Sequence, residues 1–283
     1  MSSLIIDDFK FSLVPSGSVF VGESKGGWIY SSQRPRHEVQ CPEFYIMDES
    51  MTLKQLSNLL NKNLEHESEI IWNRERLEHV ISLLNELLNK EHNDLDSKKK
   101  WEVRCPTQGE WLRAEEQNKI NIKCKTKEIL ADSVSSNYRG AMMDGRPRKF
   151  TGHGPMKWHI ATMEIHPSNK KICALSSAPM DRENRGLIAR FVITPVREGA
   201  AVMVPKKADL RANIRDELLW TFLLGVVPSF AIPWLRGMGD YVYSGWANLL
   251  FGGLCMGFVS GAFWRPKRPT IMFEDGEIIE SSE

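Results

Sequence analysis

Two long runs without a charged residue, at positions 218–235 and 241–264, limit the folds open to this chain more than any other feature. Each run has about the length that a helix needs to cross a hydrocarbon core of roughly 30 Å. Only residues 236–240 separate them, which forces an antiparallel hairpin. Aromatic side chains lie near the predicted ends, where amphipathic rings favour the membrane interface: Trp220, Trp234, Tyr241, Tyr243, Trp246 and Trp264. We therefore expect two transmembrane helices; the alternative is a buried apolar hairpin inside a soluble protein.

Basic residues flank the outer ends of the predicted hairpin and predict its orientation. They are Lys206, Lys207, Arg211 and Arg215 before the first run, and Arg265, Lys267 and Arg268 after the second. The connecting loop has only Arg236, with Asp240 beside it. By the positive-inside rule, we expect both termini and the soluble part to be cytoplasmic. The N-terminus has no basic segment followed by an apolar core, and the five cysteines are an odd number without metal-type spacing, which fits a reducing compartment.

Three glycines recur at four-residue spacing in the second apolar run: Gly253, Gly257 and Gly261. They predict a smooth helix face against which another helix can pack closely. That helix is either the first span of the same hairpin or a helix of a partner subunit.

The octet at 104–111, Arg-Cys-Pro-Thr-Gln-Gly-Glu-Trp, predicts the start of a helix. Thr107 is a favourable N-cap, and Glu110 stands three residues later, so the two residues are placed for a reciprocal capping box. Trp111 then begins an apolar face. A second Thr-x-x-Gln pattern at Thr52 and Gln55 predicts another helix start.

The octet also resembles the Arg-Leu-Pro-Thr-Glu-Ala-Glu-Trp signature of the formylglycine-generating enzyme (sulfatase-modifying factor) superfamily. Further segments resemble the family's motifs in the same order: 15–22 (Pro-Ser-Gly-Ser-Val-Phe-Val-Gly), 33–39 (Gln-Arg-Pro-Arg-His-Glu-Val), 43–46, 51–55 and 188–195. The last departs from the family because Arg190 and Phe191 are transposed. The matching signature residues are Arg34, Pro35, His37, Thr107, Glu110, Trp111 and Arg190.

The resemblance covers about residues 9–199 and implies an α+β, C-type-lectin-like domain with much irregular structure. We expect this domain at 1–200, a basic linker at 201–217, the transmembrane hairpin at 218–264, and a solvated cytoplasmic tail at 265–283. Within the domain we expect short strands over 9–48, a helix over about 70–90 and a polar connector at 93–100. A strand over 171–177 and a closing strand over 188–195 should follow, with Trp158 buried between.

The resemblance also implies where chemistry would lie, and the residues there are changed. Catalytic members hold copper(I) with two cysteines, which suit this soft ion. The segment that carries them corresponds to residues 178–187, which contain no cysteine, and Cys173 alone is a weak candidate. A related branch binds iron with three histidines from a helical domain that is absent here. His153, His159 and His166 are weak candidates for such a site. We therefore expect no catalytic residue, no calcium site and no resident cofactor.

Charge and motifs narrow the function further. The formal net charge is +1, so nothing favours a nucleic-acid partner, and no nucleotide-binding or hydrolase motif is present. The leading hypothesis is a membrane-anchored, non-catalytic domain that binds a protein partner or serves as an accessory subunit of a membrane complex. The alternative is a copper- or iron-dependent oxidoreductase of the same superfamily with diverged ligands.

Overall fold

The computed structural model describes residues 3–62, 64, 67–91, 99–150, 152–169, 173–274 and 276–281. It is a mixed α+β structure. The strands are β1 (Ser3–Ile6), β2 (Phe9–Val14), β3 (Gly17–Val21), β4 (His37–Cys41), β5 (Phe44–Met47), β6 (Trp101–Arg104), β7 (Lys127–Ser133), β8 (His159–Ile165), β9 (Cys173–Pro179), β10 (Leu187–Ile188), β11 (Val192–Pro195), β12 (Thr270–Glu274) and β13 (Glu277–Ser281). Residues 93–98 of the connector expected at 93–100, and the first two residues of the strand expected at 171–177, lie outside the described residues.

The helices are α1 (Leu53–Leu60), α2 (Arg74–Glu91), α3 (Gln108–Glu116), α4 (Leu210–Thr221), α5 (Val227–Leu235), α6 (Gly239–Ser244) and α7 (Trp246–Phe263). The π-helical segment Phe222–Val226 joins α4 to α5, so that Leu210–Leu235 is one continuous helix. Its first eight residues carry four charges and belong to the stretch expected as a basic linker, 201–217. Pro228 lies two residues after the π-helical segment, and its missing N–H removes a regular α-helical hydrogen bond there.

The chain divides into two compact units, and the first contains most of the sheet structure. It comprises Met1–Val21, Val39–Ser135 and Met142–Val202. Strands β1, β2, β5, β11 and β6 form an antiparallel sheet in that order. A second sheet has the order β10-β7-β8-β9, with β10 parallel to β7. Apolar side chains of α1 and α2, such as Leu56 and Leu84, share one buried core with Phe9, Phe11 and Phe191.

The second unit comprises Gly22–Glu38, Ser136–Ala141 and Met203–Glu283. It contains the two apolar helices, Leu210–Leu235 and Trp246–Phe263, which are both long and apolar enough to cross a membrane. Two segments that we expected within the soluble domain, Gly22–Glu38 and Ser136–Ala141, therefore cluster with the hairpin. The second apolar stretch is also interrupted, because α6 ends at Ser244 and α7 begins after Gly245.

Two sequence-based expectations were wrong, and a third was incomplete. The acidic residues of the solvated tail expected at 265–283 are exposed where the structure describes them, but the stretch also contains two strands, and β12 pairs with β13 and, at Ile271, with β4. The closing strand is two strands in different sheets, β10 and β11, because the chain crosses between the sheets at 189–191. Trp158 is 39% exposed rather than buried, with the Arg74 guanidinium carbon 5.1 Å from its ring centroid.

Candidate functional site

The helix start predicted in the octet is confirmed, and it forms part of a buried ionic network. The Thr107 hydroxyl accepts a hydrogen bond from the Glu110 N–H (3.3 Å), and a Glu110 carboxylate oxygen accepts one from the Thr107 N–H (2.9 Å). Glu110 is fully buried. Arg104 donates to both of its carboxylate oxygens, at 2.7 and 2.8 Å. The Glu110 charge is therefore neutralised within the domain, because a forked arginine contact satisfies both oxygens.

Asp132 extends this network to the first turn of α3. Its carboxylate oxygens accept the N–H groups of Gln108 and Arg148, both at 2.7 Å. Burial raises the pKa of the Asp132 carboxyl, and the two N–H donors oppose that rise. The sequence analysis missed Arg104 and Asp132 as partners. Arg104 lies between Val103 and Cys105, and Asp132 between Ala131 and Ser133. The residues next to them in sequence give no sign that either charge is buried.

A second buried network joins Trp111 to Arg190. The Trp111 indole donates to Glu128 at 2.8 Å, and Arg190 donates to both Glu128 oxygens at 3.0 Å. All three side chains are fully buried. Arg190 also donates to the carbonyls of Met47 (2.7 Å) and Asp48 (2.5 Å).

The Asn121 carbonyl accepts a further bond from Arg190 at 3.0 Å. Arg190 lies in the crossing between β10 and β11 and thus ties three distant parts of the first unit together. Glu128 was missed from the sequence, because it follows Lys127 and is read as a solvated residue there; once buried, its carboxylate must be paired. These signature residues are thus engaged in internal hydrogen bonds.

Arg34, Pro35 and His37 lie in the second unit. The Arg34 guanidinium donates to the Gly26 carbonyl at 2.8 Å. Pro35 is buried and follows a cis peptide bond. His37 is 1% exposed, with Nδ1 3.1 Å from the Pro35 carbonyl and its ring centroid 5.2 Å from that of Tyr138. These residues fix the path of the segment Gly22–Glu38.

The candidate metal ligands are not assembled. Among the described residues, no group of three or more histidine, cysteine or acidic side chains has the geometry to hold a metal ion. His159 begins β8 and His166 follows its last residue. A strand rises by about 3.3 Å per residue, so β8 separates these two backbones by roughly 20 Å. His153 is exposed in the loop that precedes β8.

Cys173 begins β9 and has a neighbouring thiol that the sequence analysis missed. Burial, together with the nearby charges of Glu115, Glu128 and Cys124, raises the pKa of the Cys173 thiol to about 11. Cys124 is far away in sequence but close enough in the fold to act on Cys173. Cys173 is therefore protonated near neutral pH, whereas a thiolate is the form that binds metals and attacks electrophiles.

The glycines of α7 are buried against the first apolar helix of the same chain. A Cβ added at Gly253 would lie 2.6 Å from the Ser229 hydroxyl oxygen, and one at Gly257 would lie 2.8 Å from the Thr221 methyl carbon. A Cβ at Gly261 would lie 2.9 Å from a carboxylate oxygen of Glu217 on α4. The glycine face was expected to pack either against the first span of the same hairpin or against a partner subunit. In the structure it packs against the first span.

A buried arginine closes the hairpin next to these glycines. Arg265 is 4% exposed and forms an ion pair with Glu217 of α4. It also donates to the Gly257 carbonyl (2.9 Å) and to the hydroxyl oxygens of Ser260 (3.1 Å) and Thr221 (3.3 Å). These bonds fix the ends of the two apolar helices to each other.

Large apolar side chains remain exposed on the outside of the hairpin. Only 11% and 17% of the most apolar stretches of the two helices are buried. The exposed side chains include Leu218, Phe222, Leu235, Phe251, Met256, Phe258 and Phe263. A contiguous apolar surface of this extent is unusual for a protein in water and typical of a membrane or protein interface.

Comparison with known proteins gives only weak structural similarity. No family model and no curated protein matches the chain. Among solved structures, the chain is similar to PvdO from Pseudomonas aeruginosa, with 10% identity and a TM-score of 0.49, over 68% of this chain and 97% of that one. It is also similar to Treponema denticola variable protein 1, with 13% identity and a TM-score of 0.40, over 68% and 98% of the two chains. At these values neither likeness decides a family or a function.

Proposed function

We propose that this chain is a membrane-anchored, non-catalytic domain similar to sulfatase-modifying factors, and that it binds a protein partner as an accessory subunit of a membrane complex. The observation that carries the proposal is the exposed apolar surface of the hairpin, which is stable in lipid and unstable in water. The motif resemblance supports a formylglycine-generating-enzyme-like domain for the first unit.

The engagement of the signature residues supports binding rather than catalysis. The charges of Glu110 and Arg190 are neutralised inside the first unit, at full burial, by Arg104 and Glu128. Groups held in this way stabilise a fold and are not free to exchange protons or ligands with a substrate.

The test is purification of the tagged full chain from its native membranes in a mild detergent, followed by native mass measurement. An unrelated tagged two-span protein, purified in parallel, identifies proteins that bind the resin or the detergent. We expect a stoichiometric second protein that is absent from the control. A chain that is isolated only as a monomer under several mild detergents would refute the accessory-subunit role.

We further propose that the first unit and both termini are cytoplasmic. Seven basic residues at the outer ends of the hairpin, against one in its loop, support this orientation. Native Cys41 and Cys105 cannot report it, because both are buried and burial raises the pKa of each thiol to about 12. The exposed Lys207 is a suitable site for a reporter cysteine. An impermeant maleimide should label Lys207→Cys in lysed cells and not in intact cells. Labelling in intact cells would show that this end of the hairpin lies outside the cell and would refute the proposed orientation.

A second candidate function is that of a metal-dependent oxidoreductase with diverged ligands; it is favoured by the motif resemblance and by two free, partly exposed thiols in the first unit, Cys124 and Cys173. Two soft sulfur ligands suit copper(I). This candidate predicts stoichiometric copper in the purified wild type and its loss in Cys124→Ser and in Cys173→Ser. A metal-free wild type after purification without chelators, and after incubation with copper(I), would eliminate it.

A further inference from the structure

We propose that residues 26–30 form a third membrane contact, in which Trp28 and Ile29 insert into the interface of the leaflet that receives the C-terminal end of α7. The inference rests on the proposed membrane anchoring and adds a lipid-binding segment that lies about 180 residues before the hairpin in sequence. The occupant of this surface is the lipid bilayer itself.

The depth of the segment follows from one ring contact. The Trp28 ring packs edge-on against the Phe258 ring, with centroids 4.3 Å apart. Phe258 lies five residues before the end of α7 at Phe263, and a helix rises by about 1.5 Å per residue, so the contact is about 8 Å below the helix end. Phe258 is 59% exposed on the apolar surface. If α7 crosses the bilayer, Trp28 therefore lies within the membrane interface.

Two glycines hold the segment at this position. Gly26 and Gly27 are buried against the chain that leaves α7. A Cβ at Gly27 would lie 2.7 Å from the Phe263 carbonyl oxygen, and one at Gly26 would lie 2.7 Å from the Arg265 carbonyl oxygen. Any side chain at either position would push the segment away from the helix. Close backbone contact thus fixes residues 26–30 beside the end of α7.

Hydrogen bonds reinforce this position. The Arg268 N–H donates to the Ser24 carbonyl at 2.7 Å, and Arg34 donates to the Gly26 carbonyl at 2.8 Å. The Trp28 indole N–H points to a carboxylate oxygen of Glu217 at 3.4 Å. The segment is therefore attached to both apolar helices and to the chain beyond them.

The chemistry of the exposed side chains fits a lipid interface. Ile29 is 55% exposed at the tip of the segment. The Lys25 ammonium lies 4.9 Å from the Tyr30 ring centroid, so a cation and an aromatic ring flank the apolar tip. Near the same end of the hairpin, the rings of Trp220 and Trp264 pack 5.4 Å apart. Aromatic rings with a polar edge and lysines with long stems are typical of the interface, where phosphate groups meet hydrocarbon.

The test measures depth with a fluorescent label on the full-length chain in phosphatidylcholine nanodiscs. A background with Cys124→Ser, Cys173→Ser and Cys255→Ser receives one reporter cysteine at Ile29. A second chain, in which only Cys124 and Cys173 are replaced, keeps Cys255 on α7 as the membrane reference. A third chain carries Glu277→Cys, at the start of β13, in the triple-serine background as the aqueous reference. Each labelled chain must keep the near-UV circular dichroism of the parent. Nanodiscs that contain a shallow doxyl-labelled lipid provide the quencher.

We expect the quencher to reduce the fluorescence of the label at Ile29 by about twofold or more relative to the fluorescence of the label at Glu277. Equal quenching at Ile29 and Glu277, with strong quenching at Cys255, would overturn this inference and leave the hairpin in the membrane. Weak quenching at all three positions would overturn the membrane anchoring and this inference together. Because Ser31 is also exposed, Ser31→Cys repeats the measurement if the label at Ile29 disturbs the fold.

Discussion

Removal of the Arg190 charge should destabilise the first unit far more than a surface substitution. In Arg190→Met, the buried Glu128 carboxylate keeps the Trp111 indole donor and loses both guanidinium donors. Three backbone carbonyls also lose a guanidinium donor, although one of them, that of Asp48, still accepts the Asn121 N–H at 2.8 Å. Breaking a buried ion pair by deleting one partner costs about 3–5 kcal/mol of the free energy of unfolding. For a domain of this size, that corresponds to a decrease in melting temperature of roughly 6–20 °C.

The assay is thermal unfolding of the full chain in detergent, with near-UV circular dichroism as the signal. Lys127→Met is the matched control, because Lys127 precedes Glu128 in β7 and pairs with Glu164 at the surface, where the two side chains are 44% and 47% exposed. An exposed pair contributes at most about 1 kcal/mol. The double variant Arg190→Met/Glu128→Leu should lose less free energy of unfolding than the sum of the losses in the two single variants, by about 2 kcal/mol. Equal melting temperatures for Arg190→Met and Lys127→Met would refute the structural role of the pair.

Two further predictions concern the hairpin and the buried thiols. Gly257→Val should prevent close packing of the two apolar helices and lower the yield of folded chain, whereas Gly252→Val, whose Cβ would meet no atom within 4 Å, should not; equal yields would contradict the helix contact. Burial raises the pKa of Cys41 and Cys105 to about 12, so the folded chain keeps both protons above pH 9, where the unfolded chain loses them. This stability is present below pH 9 and is lost between about pH 9 and 12, by about 1.4 kcal/mol per pH unit for each thiol. Urea unfolding at several pH values should give a shallower decrease for Cys41→Ala/Cys105→Ala, and identical slopes would refute the assignment.

Local signals predicted the features that are made by local contacts. The capping boxes at Thr52 and Thr107 are both present, and α1 and α3 begin at the residues that follow them. Such boxes are encoded within four residues, so the sequence alone suffices. The apolar hairpin was predictable for a similar reason, because its length and the absence of charge are properties of two continuous segments.

Features that depend on contacts between distant residues were not predictable. Glu128 and Arg190 are 62 positions apart, and nothing near either residue names its partner. The same holds for the thiols of Cys124 and Cys173. The hairpin of β12 and β13 is different, because only two residues separate the strands and its signal is local; it was overlooked in the sequence. Only the bridge from Ile271 to His37 joins residues that are distant in sequence.

Membrane flotation after alkaline carbonate extraction shows whether the two apolar helices hold the chain in the bilayer. Membranes from cells that express the full chain are washed at high pH, which removes peripheral proteins, and are then layered under a density gradient. We expect the chain to float with the lipid, because the exposed apolar side chains of helices Leu210–Leu235 and Trp246–Phe263 remain in the hydrocarbon core. A folded, monomeric chain recovered in the aqueous supernatant would contradict this expectation.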